Sequence, residues 1–136
     1  MKKILLDTNA FRKIFEGKDM SLLNLLDSAE IVYVSVIVIG ELVFGFKGGS
    51  KENENRNLLD DFLEKVSVRT MAVSTETSAI YGEIMHKLKR KGLPIPTNDA
   101  WIAAHAIETG SVLITFDKHF LKIPGVRLWN KLTSKN

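Results

Sequence analysis

Glu41 sits inside "SVIVIGELVFGF" (35–46), a run that is otherwise almost wholly apolar. On a helix, its neighbours on the same face are Ile37, Val38, Phe44 and Gly45, none of which can pair with a charge. An isolated carboxylate taken out of water is costly or changes its protonation state. Glu41 is therefore either a surface accident or has a partner from elsewhere in the chain. Three other acids are candidates for the same neighbourhood. Asp7 ends the apolar run "KKILLD", Asp117 follows "LIT" by two residues, and Asp99 opens "DAWIAAHAIET". Each has an ordinary role when taken alone: an Asp after a strand caps the next helix or turn, and an Asp in a first helical turn suits the helix dipole.

Together the four acids pose an electrostatic problem. Two carboxylates about 5 Å apart repel by roughly 3 kcal/mol at an effective dielectric near 20. A divalent cation resolves this, and a donor set of carboxylate oxygen with no sulfur suits a hard ion, Mg2+ or Mn2+. Mg2+ takes few direct carboxylates. Asp7 and Asp99 are therefore expected as direct ligands, with Glu41 and Asp117 holding waters or a second ion. Such a centre lowers the pKa of a bound water and stabilises charge on a phosphoryl group, the chemistry of phosphodiester hydrolysis. No other nucleophile is evident. His86, His105 and His119 have neither metal-ligand spacing nor an evident triad, and His105 within "WIAAHAIE" reads as a packed helix residue.

The elements that must position these residues follow from the apolar pattern. "KKILLD", "IVYVS", "SVRTM", "SVLIT" and "VRLW" read as short strands, β-branched and apolar. Between them lie helical stretches: "AFRKIFEG" and "MSLLNLLDSAE" separated by Gly17, then 36–46 with Ser35 as N-cap. "ENRNLLDDFLEKV" carries Leu58, Leu59, Phe62, Leu63 and Val66 at helical spacing. Ser74 caps "TETSAIYGEIMHKLKRK", which Gly92 ends, and Thr97 or Asn98 opens a helix closed by Gly110. "FDKHF" reads as a tight turn or single helical turn. Strands alternating with helices predict an α/β domain with a mainly parallel sheet and helices on both faces. In such sheets ligands sit beyond the carboxyl ends of the strands, where all four acids could meet.

The 136 residues predict one domain, 1–136, with 45% hydrophobic and 26% charged residues. The lack of cysteine excludes disulfides and thiolate zinc sites. The apolar run after "MKK" is too short for a signal peptide, and the stretch 31–40 is too short to span a bilayer, so the expectation is a soluble cytoplasmic protein without a membrane partner. A net charge of +3 and a pI of about 9.2 bias the chain mildly towards polyanions. "HKLKRKG" (86–92) is either a solvated helix end or a phosphate contact. Arg12, Lys13 and Lys118 lie close in sequence to the acids.

"LLDTNAF" (5–11), "IGEL" (39–42), "TNDAWIAAHA" (97–106) and "LITFDKHFLKIPGVRLW" (113–129) resemble, in order, the four acidic motifs of the PIN-domain family, and more narrowly the VapC-type toxins of toxin–antitoxin pairs. The resemblance implies a three-layer α/β/α fold on a five-stranded parallel sheet and a Mg2+- or Mn2+-dependent endoribonuclease. It makes Asp7, Glu41, Asp99 and Asp117 the acidic quartet, with Asn9 and Thr115 as polar supports. Where the family's last motif often carries a further acid, this chain has His119. The resemblance also implies an RNA substrate, a homodimer, and a small cognate antitoxin whose tail lies in a groove reaching the acidic site. Phe11, Phe15, Leu22 and Leu26 are candidates for that groove, or simply for the core.

Other chemistries fit less well. An Asp-nucleophile phosphatase wants D-x-D, and the third position here is Asn9. "FGFKGGS" lacks the order G-x-x-x-x-G-K-[ST] of a P-loop and follows a helix rather than a strand. A PIN-like module that binds RNA or protein without cutting is the remaining alternative.

Overall fold

The structure is a computed structural model and describes residues 2–129. Five strands form one sheet: β1 Lys3–Leu6, β2 Ile31–Ser35, β3 Val68–Met71, β4 Val112–Ile114 and β5 Arg127–Leu128. Among the described residues six helices accompany them: α1 Thr8–Glu16, α2 Met20–Ser28, α3 Val36–Lys47, α4 Glu52–Leu63, α5 Thr75–Lys91 and α6 Thr97–Thr109. A 3-10 helix spans Lys118–Lys122. The strand order is β3-β2-β1-β4-β5 and every pairing is parallel.

β1 is the central strand, and Ile4, Leu5 and Leu6 are almost completely inaccessible. A strand buried on both faces needs apolar residues at successive positions, which is why "ILL" shows no alternation. Helices must therefore cover both faces of the sheet. α6 packs on β1 and β4, presenting the buried small residues Ala100, Ala103, Ala104 and Ala106. Small side chains let a helix approach the sheet closely. α5 and α6 pack as an antiparallel pair, and the Thr77 hydroxyl near the start of α5 donates to Glu108 near the end of α6 at 2.6 Å.

The helix boundaries follow ordinary end chemistry. Ser35 accepts from the Ile37 N–H, and Ser74 caps α5 in a capping box with Thr77. Gly17, Gly92 and Gly110 end their helices at positive φ, between 65° and 70°, a conformation that costs glycine nothing. One expectation fails. The apolar spacing continues to Val66, but α4 ends at Leu63 and Val66 is 90% exposed. The chain must turn there to enter β3, and the turn breaks the helical phase.

The topology fixes where a site can be. From β1 the chain moves outward to β2 and β3, then crosses back to β4 on the other side of β1. The crevice between the carboxyl ends of β1 and β4 is the switch point of the sheet, the usual ligand position in open α/β folds. Leu6 is in register with Ile114, and the Asp7 N–H bonds the Ile114 carbonyl at 3.1 Å. Asp7 and Thr115 thus leave the sheet side by side.

No helix among the described residues is long and apolar enough to cross a membrane.

Candidate active site

Asp7 lies at the mouth of that crevice, only 4% exposed. Its Oδ1 accepts from the Ala10 N–H at 2.8 Å, capping α1, and its Oδ2 accepts from the Thr115 hydroxyl. The capping role open to an Asp after a strand is therefore filled, and it aims the carboxylate. The Thr115 oxygen also accepts from the Asp117 N–H at 3.0 Å. One buried hydroxyl thereby holds the ends of β1 and β4 in a fixed relation. Asp117 in turn caps the 3-10 helix, accepting from the His119 N–H at 2.9 Å.

Asp99 enters from the first turn of α6, where the exposed N–H groups favour negative charge. Asp99, Asp117 and His119 each offer a ligand atom, and these three atoms lie within 4.8 Å of one another. His119 Nδ1 is 3.5 Å from Asp99 Oδ2 and 3.3 Å from Asp117 Oδ1.

Glu41 reaches the same region from the second turn of α3. The Thr8 hydroxyl, at the start of α1, donates to Glu41 Oε1 at 2.6 Å. This is the partner that its own helix face could not supply. The motif reading named Thr115 and Asn9 as polar supports; Thr115 bonds Asp7, whereas Asn9 is exposed and its Oδ1 accepts from Arg12 Nη1 at 3.4 Å. Residues 8 and 9 differ by about 100° around α1, and that rotation decides which of them faces α3.

The electrostatics link the four acids. Burial pushes the Asp7 carboxyl up to about 6, opposed by the Thr115 and Ala10 hydrogen bonds and assisted by the charges of Asp117 and Asp99. Burial likewise raises Asp99, followed by the Asp117 charge; His119 opposes the shift and Glu41 adds to it. Among the described residues no Lys or Arg forms an ion pair with any of these carboxylates. The donor set is carboxylate oxygen from four elements, with one imidazole nitrogen and no sulfur, and its charge is uncompensated by cationic side chains. That chemistry fits a divalent ion.

His105 lies outside this group. It is fully buried in α6, with Nδ1 2.8 Å from Ser35 Oγ and Nε2 3.1 Å from the Ala72 carbonyl. The carbonyl only accepts, so Nε2 carries the proton and the Ser35 hydroxyl donates to Nδ1. Burial lowers the pKa of the ring. It is a core histidine, as its place on the helix suggested.

Beside the acids, the Lys13 ammonium lies 5.0 Å from the centre of the half-exposed Phe116 ring. A groove of about 510 Å³ runs between α1, α3 and α4, lined by Phe11, Phe15, Leu42, Phe46 and Leu58 with Arg12 at its edge. Of the four groove candidates, Phe11 and Phe15 line it, whereas Leu22 is wholly in the core and Leu26 packs against the core. Lys89, Arg90 and Lys91 form the last turn of α5, where the dipole favours cations.

The profile of the PIN domain matches residues 4–126. Ribonuclease VapC2 of Rickettsia felis is 36% identical over 80% of this chain and 82% of that protein. The tRNA(fMet)-specific endonuclease VapC of Salmonella typhimurium is 28% identical over 94% and 97%. Among solved structures, VapBC2 from Rickettsia felis bound to a DNA fragment from its promoter superposes with a TM-score of 0.82. It is 30% identical, covering 93% of this chain and 97% of that one.

Proposed function

This chain belongs to the PIN-domain family, and on that premise we propose that its acidic crevice is the metal centre of an endoribonuclease, the toxin of a toxin–antitoxin pair. The observation that carries the reading is the convergence of Asp7, Glu41, Asp99 and Asp117 at the switch point of a parallel sheet, with no Lys or Arg ion pair to them among the described residues. The names of its relatives supply the class of substrate, RNA, and of partner, an antitoxin.

A divalent cation, Mg2+ or Mn2+, supplies a water nucleophile near neutral pH and positive charge against the phosphoryl group. Asp7 and Asp99 would hold it directly. Glu41 and Asp117 would orient the attacking water and take its proton, through bound waters or a second ion. Hydrolysis would join the water oxygen to phosphorus as one P–O ester bond breaks, the leaving oxygen taking a proton from solvent. Thr8 fixes Glu41, and Thr115 fixes Asp7 against the β4 end. Lys13 and Lys118, near Asp117 in space or sequence, hold the RNA backbone.

The apolar groove beside Arg12 receives the tail of the small cognate antitoxin. The toxin works as a homodimer in the cytoplasm and is a single PIN-like domain; of the expected span 1–136, residues 1 and 130–136 lie outside the described residues.

The test is cleavage of a mixed RNA substrate by protein freed of other nucleases, in Mg2+, Mn2+ or EDTA. Cutting that needs the metal and is lost in Asp7→Asn and Asp99→Asn supports the reading. RNA binding without cutting, unchanged in both variants, replaces it with a binding module.

A further inference from the structure

The residue two positions beyond Asp117 is His119, and the loop aims its ring inwards. Asp117 caps the 3-10 helix through the His119 N–H at 2.9 Å, and the imidazole lies over the acids. Its Nδ1 faces two carboxylates carried by different elements, 3.3 Å from Asp117 Oδ1 and 3.5 Å from Asp99 Oδ2.

Distance and charge together separate two explanations of this contact. A charge-assisted N–H···O bond closes to about 2.7–2.9 Å, and both separations are longer. One N–H shared between the two carboxylates as a three-centre bond would match the longer separations, but a single imidazolium would still leave the pocket strongly negative. Atoms that are neighbours in one coordination shell, on bonds of about 2.0–2.2 Å, stand about 2.9–3.6 Å apart. Both His119 separations fall within that interval. The three ligand atoms form a compact triangle, and the ring, half exposed at 49%, can carry its proton on Nε2.

We infer that His119 Nδ1 is a direct ligand of the ion held by Asp99, that Asp117 joins them as a direct ligand in place of a water-mediated contact, and that the centre prefers a first-row transition dication such as Mn2+ to Mg2+. The inference rests on reading the crevice as a metal centre. Mg2+ binds oxygen and gains little from imidazole, whereas nitrogen donors add affinity for transition ions. His119 therefore alters which ion the site selects while leaving the carboxylate framework in place.

The test uses the full chain without a histidine tag, and Mn2+ as a paramagnetic probe. Binding is followed by the loss of the free-ion signal, with Mg2+ affinity taken from competition. Nitrogen ligation is read from the pulsed-EPR coupling of 14N to Mn2+. In the wild type a directly bound imidazole nitrogen is expected. His119→Gln abolishes that coupling and weakens Mn2+ by about tenfold or more, with Mg2+ affinity changed less than about twofold on the same reasoning. His86→Gln leaves both unchanged. Mn2+ that binds without nitrogen coupling overturns the ligand assignment and leaves the metal centre standing. So does coupling that survives His119→Gln, or an unaltered preference between the two ions. Failure of the wild type to bind either ion, or binding indifferent to Asp99→Asn, overturns the metal centre and this inference with it.

Discussion

The Thr8 hydroxyl donates to Glu41 Oε1 at 2.6 Å, joining the first turn of α1 to the second turn of α3 across 33 positions of sequence. α1 begins directly after β1, so this bond ties Glu41 to the strand that carries Asp7. A hydrogen bond to a charged group contributes about 1.5–3 kcal/mol, and less where water can replace it. Thr8→Val keeps the shape and removes the donor. We expect RNA cleavage to fall roughly tenfold, about 1.4 kcal/mol in the barrier, with near-native circular dichroism. Unchanged rates would show that Glu41 does not depend on this tether.

Thr115 predicts a different signature. Its hydroxyl stabilises the Asp7 carboxylate and also receives the Asp117 N–H. In Thr115→Val the Asp7 carboxyl loses a bond that lowers its pKa. Apparent affinity for divalent ions should then drop, and the pH at which the ion binds half-maximally should move up. Titrations of Mn2+ between pH 5.5 and 8 check this; an unshifted profile contradicts it.

The stability of the protein in EDTA should depend on pH in two opposed ways. Asp7 binds its proton more tightly folded than unfolded, about 6 against 3.8. Stability therefore falls as pH rises through that window, by on the order of 3 kcal/mol. His105 is shifted the other way by burial, so stability falls as pH drops below its unfolded value near 6.5. Asp7→Asn should remove the first slope and raise the melting temperature near pH 7.5 in EDTA by about 3–6 °C. A lower melting temperature there would contradict the account. Added Mn2+ should stabilise the wild type more than this variant.

His105→Ala should damage folding rather than chemistry. It opens a cavity and leaves the Ser35 hydroxyl and the Ala72 carbonyl without their partner. The expected loss is about 2–4 kcal/mol, measured by urea unfolding. Cleavage per folded molecule should stay within about twofold, a smaller effect than any expected from a group that touches the ion. A large loss of activity in well-folded protein would mean that His105 acts on the site.

Much of this arrangement is legible in the sequence, for identifiable reasons. Ile4–Leu6 and Val112–Ile114 are strands buried between helix layers, so their signal is an unbroken apolar run. Ser35, Ser74, Gly92 and Gly110 mark helix ends because the end chemistry is local. Glu41 is conspicuous because its own face is apolar. What escapes is set by rotation and tertiary phase. Whether Thr8 or Asn9 faces α3 depends on how α1 is turned against it, which no local pattern records. The end of α4 before Val66 is decided by the need to reach β3, against a periodicity that continues. His119 stands out as an unusual type at its position, but that its ring lies over Asp99 and Asp117 is a tertiary fact that no local pattern records.

If the carboxylates hold the ion that cuts RNA, cleavage must follow both the ion and the acids. The most direct measurement is the single-turnover cleavage rate of one RNA against Mn2+ concentration, for wild type and Asp99→Asn. In the wild type the rate should rise from zero in EDTA and saturate with Mn2+. In the variant the maximum should be at least about a hundredfold lower, of the size seen when one electrostatic stabiliser of a transition state is removed. A wild-type rate that ignores Mn2+ and EDTA, or an Asp99→Asn curve that overlays the wild type, would mean that these carboxylates hold no catalytic ion.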